Sequence, residues 1–300
     1  MAVFAAPNLK PAQRKVKHRL DRGGAMCDHM RFARGEPMVR GWTECGKAAV
    51  RALLLVAALL FAACGPALAQ TDEIQVYDAT IAPSGVFNLT LHNNYTPSGR
   101  TLPDYPGAIV PEHSLNGVPE SAYGVTDWME AGLYLPLYSV TGDGAVRFNG
   151  FKLRALFVSP HAADRPFFYG INFEFSYNAP HWDPHRYTSE IRPIVGWHIE
   201  RLDFIVNPIL DNDWEGFGRL DFAPASRLAW HVSKLWAVAA EEYDDFGPVE
   251  HFHQAAGQQH QLFAVLDYNG SVAVEAGLGF GLTAATDHRI VKLIVSWDLD

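Results

Sequence analysis

Three groups of residues could do chemistry. His181 and His185 stand four positions apart with Asp183 between them. That spacing turns two imidazoles toward one metal ion only on a helix. Pro180 and Pro184 each immediately precede one of the two histidines, and proline disfavours a helix interior, so a polar loop is the competing reading. His251, His253 and His260 gather in a second polar stretch. Two or three imidazoles can hold a divalent cation, although no spacing rule singles these out. His231 and Ser233 are two apart. On a strand that puts base and hydroxyl on one face, as nucleophilic hydrolysis requires. No orienting Asn or Asp is identifiable for this imidazole.

Ten more charges fall in the middle of largely apolar stretches: Glu130, Lys152, Arg154, Glu174, Arg192, Asp203, Arg227, Glu241, Glu275 and Lys292. Five are acids and five are bases. Such a mixture can knit a narrow interior together through ion pairs, or line a small wet channel. Arg154 and Arg192 cannot shed their protons, so each needs water or a carboxylate. Glu130, Glu174 and Asp203 are candidate partners.

The elements carrying these charges alternate with period 2. Over 272–282, Val272, Val274, Ala276, Leu278, Phe280 and Leu282 share one face, opposite Glu275, Gly277, Gly279 and Gly281. The three glycines leave room for a bulky interior neighbour to approach the wall. Phe167, Tyr169, Ile171, Phe173, Phe175 and Tyr177 oppose Gly170, Asn172, Glu174 and Ser176. The same split recurs at 87–92, 130–137, 190–198, 202–210 and 291–299, and less cleanly near 118–125, 148–158, 220–231, 235–243 and 260–268. That makes twelve candidate strands, mostly long enough to cross a bilayer, which takes about 9–11 residues. Links alternate in length as well. Short ones fall at Thr126-Asp127, His198 to Arg201, Ser233-Lys234 and Asn269-Gly270, with a somewhat longer one at 159–166. Longer polar ones span 96–117, 140–147, 179–187, 211–219 and 244–259, while 283–287 breaks the trend.

Length, asymmetry and charged mid-strand faces together indicate an all-β fold, a transmembrane antiparallel up-and-down β-barrel of about 12 strands with apolar faces toward lipid. A secreted soluble β protein with one wet face is the alternative. Trp128, Tyr138, Phe167, Tyr177, Trp197, Trp230, Trp236, Tyr268 and Trp297 lie near strand ends, where they would form interfacial girdles or else pack in a core. The chain ends Trp297-Asp298-Leu299-Asp300, without the terminal aromatic usual for such barrels.

Residues 52–63 read ALLLVAALLFAA, with Arg40, Lys47 and Arg51 before them and Ala67-Leu68-Ala69 after them. Basic, apolar and small residues in that order make a secretory signal peptide, cut after Ala69. Residues 1–69 are therefore a leader, 70–85 a periplasmic N-terminal segment and 86–300 the barrel. Residues 1–37 are long and Arg-rich for a signal peptide, so starts at Met26, Met30 or Met38 stay open. Phe61-Ala62-Ala63-Cys64 loosely resembles a lipidation box. Cys27, Cys45 and Cys64 all precede residue 70, so the remainder can form neither a disulfide nor a thiolate metal site. Residues 1–69 hold 11 Lys/Arg and 4 Asp/Glu of the chain's 24 and 33, leaving 13 and 29 in the rest. That acidic remainder argues against nucleic acid as a partner.

The stretch YGVTDWMEAGLYLPLY, Tyr123 to Tyr138, resembles a recurring element of the outer-membrane transporter family grouped with the meta-pathway of phenol degradation. GINFEFSYN and VAVEAGLGFGLT have the look of that family's later strands. The resemblance spans most of 73–300 and contains no catalytic motif. It implies an outer-membrane barrel passing small compounds, hydrophobic ones among them, and supplies no site residues. The expected partners are outer-membrane lipid and small solutes, with no cofactor. A channel is the leading reading, a non-conducting surface barrel binding cations or partners through His-bearing loops the second, and an outer-membrane hydrolase the third. The expected setting is the outer membrane of a Gram-negative cell, with long loops outward. A cysteine placed at position 254 should then react with an impermeant thiol reagent on intact cells, and one at position 270 should not. Equal labelling would refute that orientation.

Overall fold

The structure is a computed structural model that describes residues 73–299 apart from 215, 217 and 218. The leader, its cleavage site and Cys64 lie outside the described residues. Strands run β1 (Phe87–Ser98), β2 (Leu115–Thr126), β3 (Met129–Val140), β4 (Val146–Val158), β5 (Phe167–Asn178), β6 (Tyr187–Ile199), β7 (Leu202–Asn207), β8 (Leu210–Asn212), β9 (Asp221–Phe222), β10 (Ala225–His231), β11 (Trp236–Asp245), β12 (Gln259–Asn269), β13 (Ala273–Gly281) and β14 (Arg289–Leu299). All pairings are antiparallel: β1 to β6 pair in sequence order, β6 pairs with both β7 and β8, β7 with β10, β8 with β9, β10 to β14 again in order, and β1 with β14, Phe87 opposite Leu299 and Tyr95 opposite Val291. The sheet is therefore closed and has no free edge.

Fourteen segments make twelve wall strands, because β7 with β8, and β9 with β10, are single strands interrupted at one level. Ala225 pairs with Asn207 and, beyond the break, Phe222 pairs with Leu210 in the same register, which sets Pro208 opposite Pro224. Neither proline has an N–H to give the ladder, and the ladder resumes immediately, with Ala223 N–H donating to the Ile209 carbonyl (3.1 Å).

The two faces sort as the alternation requires. Leu133, Leu153, Phe173, Leu228, Val238, Leu266, Leu278 and Leu293 are exposed on the outside. Glu130, Glu174, Arg192, Glu241 and Lys292 are buried. This is inverted relative to a water-soluble protein, and it is the arrangement hydrocarbon selects. It excludes the soluble alternative. At the turn end, Trp128 lies near Phe157, Phe167 near Trp197, and Trp236 near Tyr268 (ring centroids 6.2, 5.6 and 4.9 Å apart). They form the girdle expected at that interface.

One expectation changes. Residues 70–85 read as a periplasmic extension, yet over the described residues 73–85 the chain runs inside the ring. Ile74, Val76, Tyr77, Ala79 and Ala82 are all buried there. The segment leaves at the turn end, where Gly85 N–H donates to the Gly124 carbonyl (2.7 Å) and Gly124 N–H donates to that of Val86 (3.1 Å), leading straight into β1.

Gly277 and Gly279 leave the room that their period-2 spacing implied. A Cβ on Gly277 would meet the Lys292 stem, and one on Gly279 would collide with the Phe263 ring. Leu278, between them, is 55% exposed on the outer face. Leu278→Arg should impair assembly, at roughly 2–4 kcal/mol for a mid-strand lipid-facing arginine, and Leu278→Ala should not. Gly279→Ala should also reduce assembly, through the inner face. The folded fraction by heat-modifiable gel mobility measures this, and equal yields of all three variants would refute the face assignment.

Candidate functional site: the barrel lumen

Residues two apart on one strand share a face, so pairs such as Lys152 and Arg154, or Glu190 and Arg192, enter the lumen together. Two ion-pair networks result. In the first, the Arg154 guanidinium lies between Glu120 (2.5 Å) and Glu130. Glu120 also meets His92 Nε2 (3.2 Å). Lys152 reaches Glu174 (3.4 Å), which accepts from Asn172 Nδ2 (2.9 Å). Arg192 forms a fork on Glu190 (2.7 and 2.9 Å).

In the second, Arg227 sits among Glu241, Asp267 and Glu275. Lys292 bonds Glu241 and Glu275 (2.5 Å). Register builds these contacts directly: Arg227 is opposite Glu241, and Asp267 opposite Glu275.

The N-terminal segment is tied to both networks. Lys292 Nζ donates to the Ile74 carbonyl (3.3 Å) and Arg192 Nη1 to that of Gln75 (3.0 Å). Tyr77 N–H donates to Asn207 Oδ1 (2.7 Å), and Asn207 Nδ2 returns a bond to the Tyr77 carbonyl (3.0 Å). The Tyr77 ring lies 4.4 Å from the Arg192 guanidinium and 5.5 Å from that of Arg154, within cation–π range. Its hydroxyl meets Tyr134 (2.6 Å) and donates to Glu174 (3.2 Å). Ala82 N–H donates to Glu130 (2.5 Å). Above this segment, at the loop end, a cavity of about 330 Å³ opens among Glu73, Lys152, Arg192, Trp182, Asp211 and Tyr243.

All ten mid-strand charges named from sequence have their partners inside the ring, but not always the expected ones. Arg192 takes Glu190, not Asp203. Asp203 is held at the turn end between His198 Nδ1 (2.7 Å) and His231 Nε2 (2.5 Å). Sequence reasoning missed Glu120, Glu190, Asp267 and Tyr77. Glu120 and Asp267 lie on strands whose alternation is ragged, while Glu190 was visible two residues from Arg192.

Asp203 is the orienting acid that sequence could not identify for His231. It bridges two imidazoles. Ser233 Oγ instead accepts from the backbone N–H groups of Leu235 (3.2 Å) and Trp236 (3.1 Å), closing the turn. The histidine trio proposed for metal is not assembled. His260 Nδ1 is bound to Asp244 (2.5 Å), His251 is exposed, and His253 packs over Gly247. Among the described residues no three potential ligands converge on a metal position. His181 and His185 lie in a turn. His185 faces Asp183 (3.5 Å) and Asp213 (3.8 Å). Burial pushes the Asp183 carboxyl above its ordinary range and the His181 imidazole below its own.

No protein-family model and no curated protein matches the chain. Among solved structures, an outer membrane channel from Pseudomonas putida F1 aligns with a TM-score of 0.51 at 12% identity, covering 76% of this chain and 100% of that one. The translocator domain of the autotransporter NalP from Neisseria meningitidis aligns at 0.41 and 11% identity, over 72% and 89% of the two chains. LpxR from Salmonella typhimurium aligns at 0.38 and 11%, over 70% and 99%. The similarity to the Pseudomonas channel is one of fold: this chain shares the architecture of an outer-membrane β-barrel.

Proposed function

We propose that the protein is an outer-membrane conduit for small polar solutes whose aperture is set by its own N-terminal segment. The observation that carries this reading is the segment 73–85 inside a polar lumen. It is held there by hydrogen bonds, by stacking on two arginines, and by apolar packing of Val76 and Ala79 among Leu156, Ile194 and Ile205 and of Ile74 against Phe263 and Val265. Each hydrogen bond of this kind contributes only about 0.5–1.5 kcal/mol net, and each has a water-based substitute once the segment moves. The wall charges are paired with one another, so the wall keeps its countercharges if the segment leaves. The networks and the cavity above them favour polar and charged solutes over apolar ones.

The second reading is a non-conducting barrel. It is favoured by the fully buried Lys292 and Glu241, which pack one side of the lumen as tightly as a protein core. Planar-bilayer conductance separates the two. Deleting residues 70–79 from the mature chain should raise single-channel conductance severalfold over the intact protein. Lys152 lines the cavity, so Lys152→Gln in the deleted background should shift the reversal potential toward cation preference. Equal conductance with and without the segment would remove it as the gate. No conductance from either protein would favour the non-conducting barrel.

A further inference from the structure

Across the mouth of the lumen, three carboxylates stand in one cross-strand row. Glu190 on β6 is opposite Asp211 on β8, and Asp211 is opposite Asp221 on β9. Like charges directly opposite one another destabilise a sheet. Glu190 is compensated by Arg192. Asp211 and Asp221 make no side-chain hydrogen bond or ion pair with the described residues, and both line the cavity of about 330 Å³. Asp245 lines it too, with one oxygen occupied by the Gly247 N–H (2.8 Å). Gln259, directly opposite Asp245, lines the same cavity and is only 8% exposed. Its amide nitrogen has no hydrogen-bond partner. A buried amide left unpaired is unfavourable, and turning it end for end offers the site a carbonyl oxygen instead. Trp182 and Tyr243 supply apolar and π surface on the walls.

The row is not a chelate, since no three ligands converge on a point among the described residues. It is an extended ladder whose acids repeat at the strand spacing of about 4.8 Å. Several spaced carboxylates are best satisfied together by ammonium groups joined by short methylene spacers. Once one ammonium is bound, the next meets its carboxylate at high effective concentration. The methylenes then cover the aromatic walls, and an ammonium over a ring gains cation–π attraction. We propose that this mouth binds a linear aliphatic polyamine, with Asp211 and Asp221 as the anchoring anions and the Gln259 amide as a further acceptor. The site deepens the conduit reading by naming a solute class, but binding itself does not depend on conduction.

The test is calorimetric titration of the full mature protein in detergent with spermidine, magnesium chloride and butylamine in turn. Spermidine should bind saturably and at least tenfold more tightly than either of the others. Asp211→Asn/Asp221→Asn removes a repulsion, so it should fold, as heat-modifiable mobility would show, and should weaken spermidine at least tenfold. Glu250→Gln, an exposed loop acid outside the cavity, should leave binding unchanged. Magnesium binding as tightly as spermidine, or a double variant with undiminished affinity, would overturn the proposal. Binding without conductance would defeat the conduit reading alone. Conductance without spermidine binding would defeat this inference alone.

Discussion

Lys292 is an ammonium group with no exposed surface, and a charge taken out of water must keep its countercharges. Much of the interior follows from that requirement. Its carboxylates come from Glu241 on β11 and Glu275 on β13, so one cation joins three strands. Glu241 and Glu275 are shared with Arg227 on β10, which extends the tie to a fourth. Arg154 does the same for β2, β3 and β4. Removing one partner from such a pair costs about 3–5 kcal/mol, so the networks are mutually enforcing. The carbonyls of Ile74 and Gln75 complete the coordination of Lys292 and Arg192. The N-terminal segment thus adds neutral acceptors to cations that the wall carboxylates already balance.

The same requirement explains the outside. An interior of ion-pair networks and two apolar clusters uses one face of every strand, and period 2 leaves the other face for lipid-facing apolar side chains. Only closure satisfies the backbone of such a sheet in hydrocarbon, and β1 against β14 supplies it. The ring survives Pro208 and Pro224 because both missing donors fall at one level, leaving the register intact on either side.

Strand number, turn positions and the sorting of faces were legible in the sequence because each is a local pattern. Leu278 between Gly277 and Gly279 states its own direction. The glycines of β13 even announced that something bulky lies over them, without saying that it is Lys292 and Phe263. Partner identity was not legible. Arg227 and Asp267 are forty residues apart, Lys292 and Ile74 more than two hundred, and such pairings depend on closure and register, which no local periodicity encodes. The placement of 73–85 was hidden for the same reason. The segment is short, and it takes its partners, Tyr134, Asn207 and Lys292, from β3, β7 and β14. The histidines misled because residue type suggests a metal ligand in His260 and a catalytic base in His231, whereas each is already held by an aspartate.

The central claim is that the lumen is organised around its own N-terminal segment. Amide hydrogen exchange of the intact protein tests this most directly, with no substitution to complicate it. The N–H groups of Tyr77 and Ala82 are bonded to buried side chains, so peptides covering 73–86 should retain deuterium protection on the timescale of the barrel strands, well beyond that of loop 246–258. Complete exchange of those amides at the earliest time point, as for a free tail, would contradict the account.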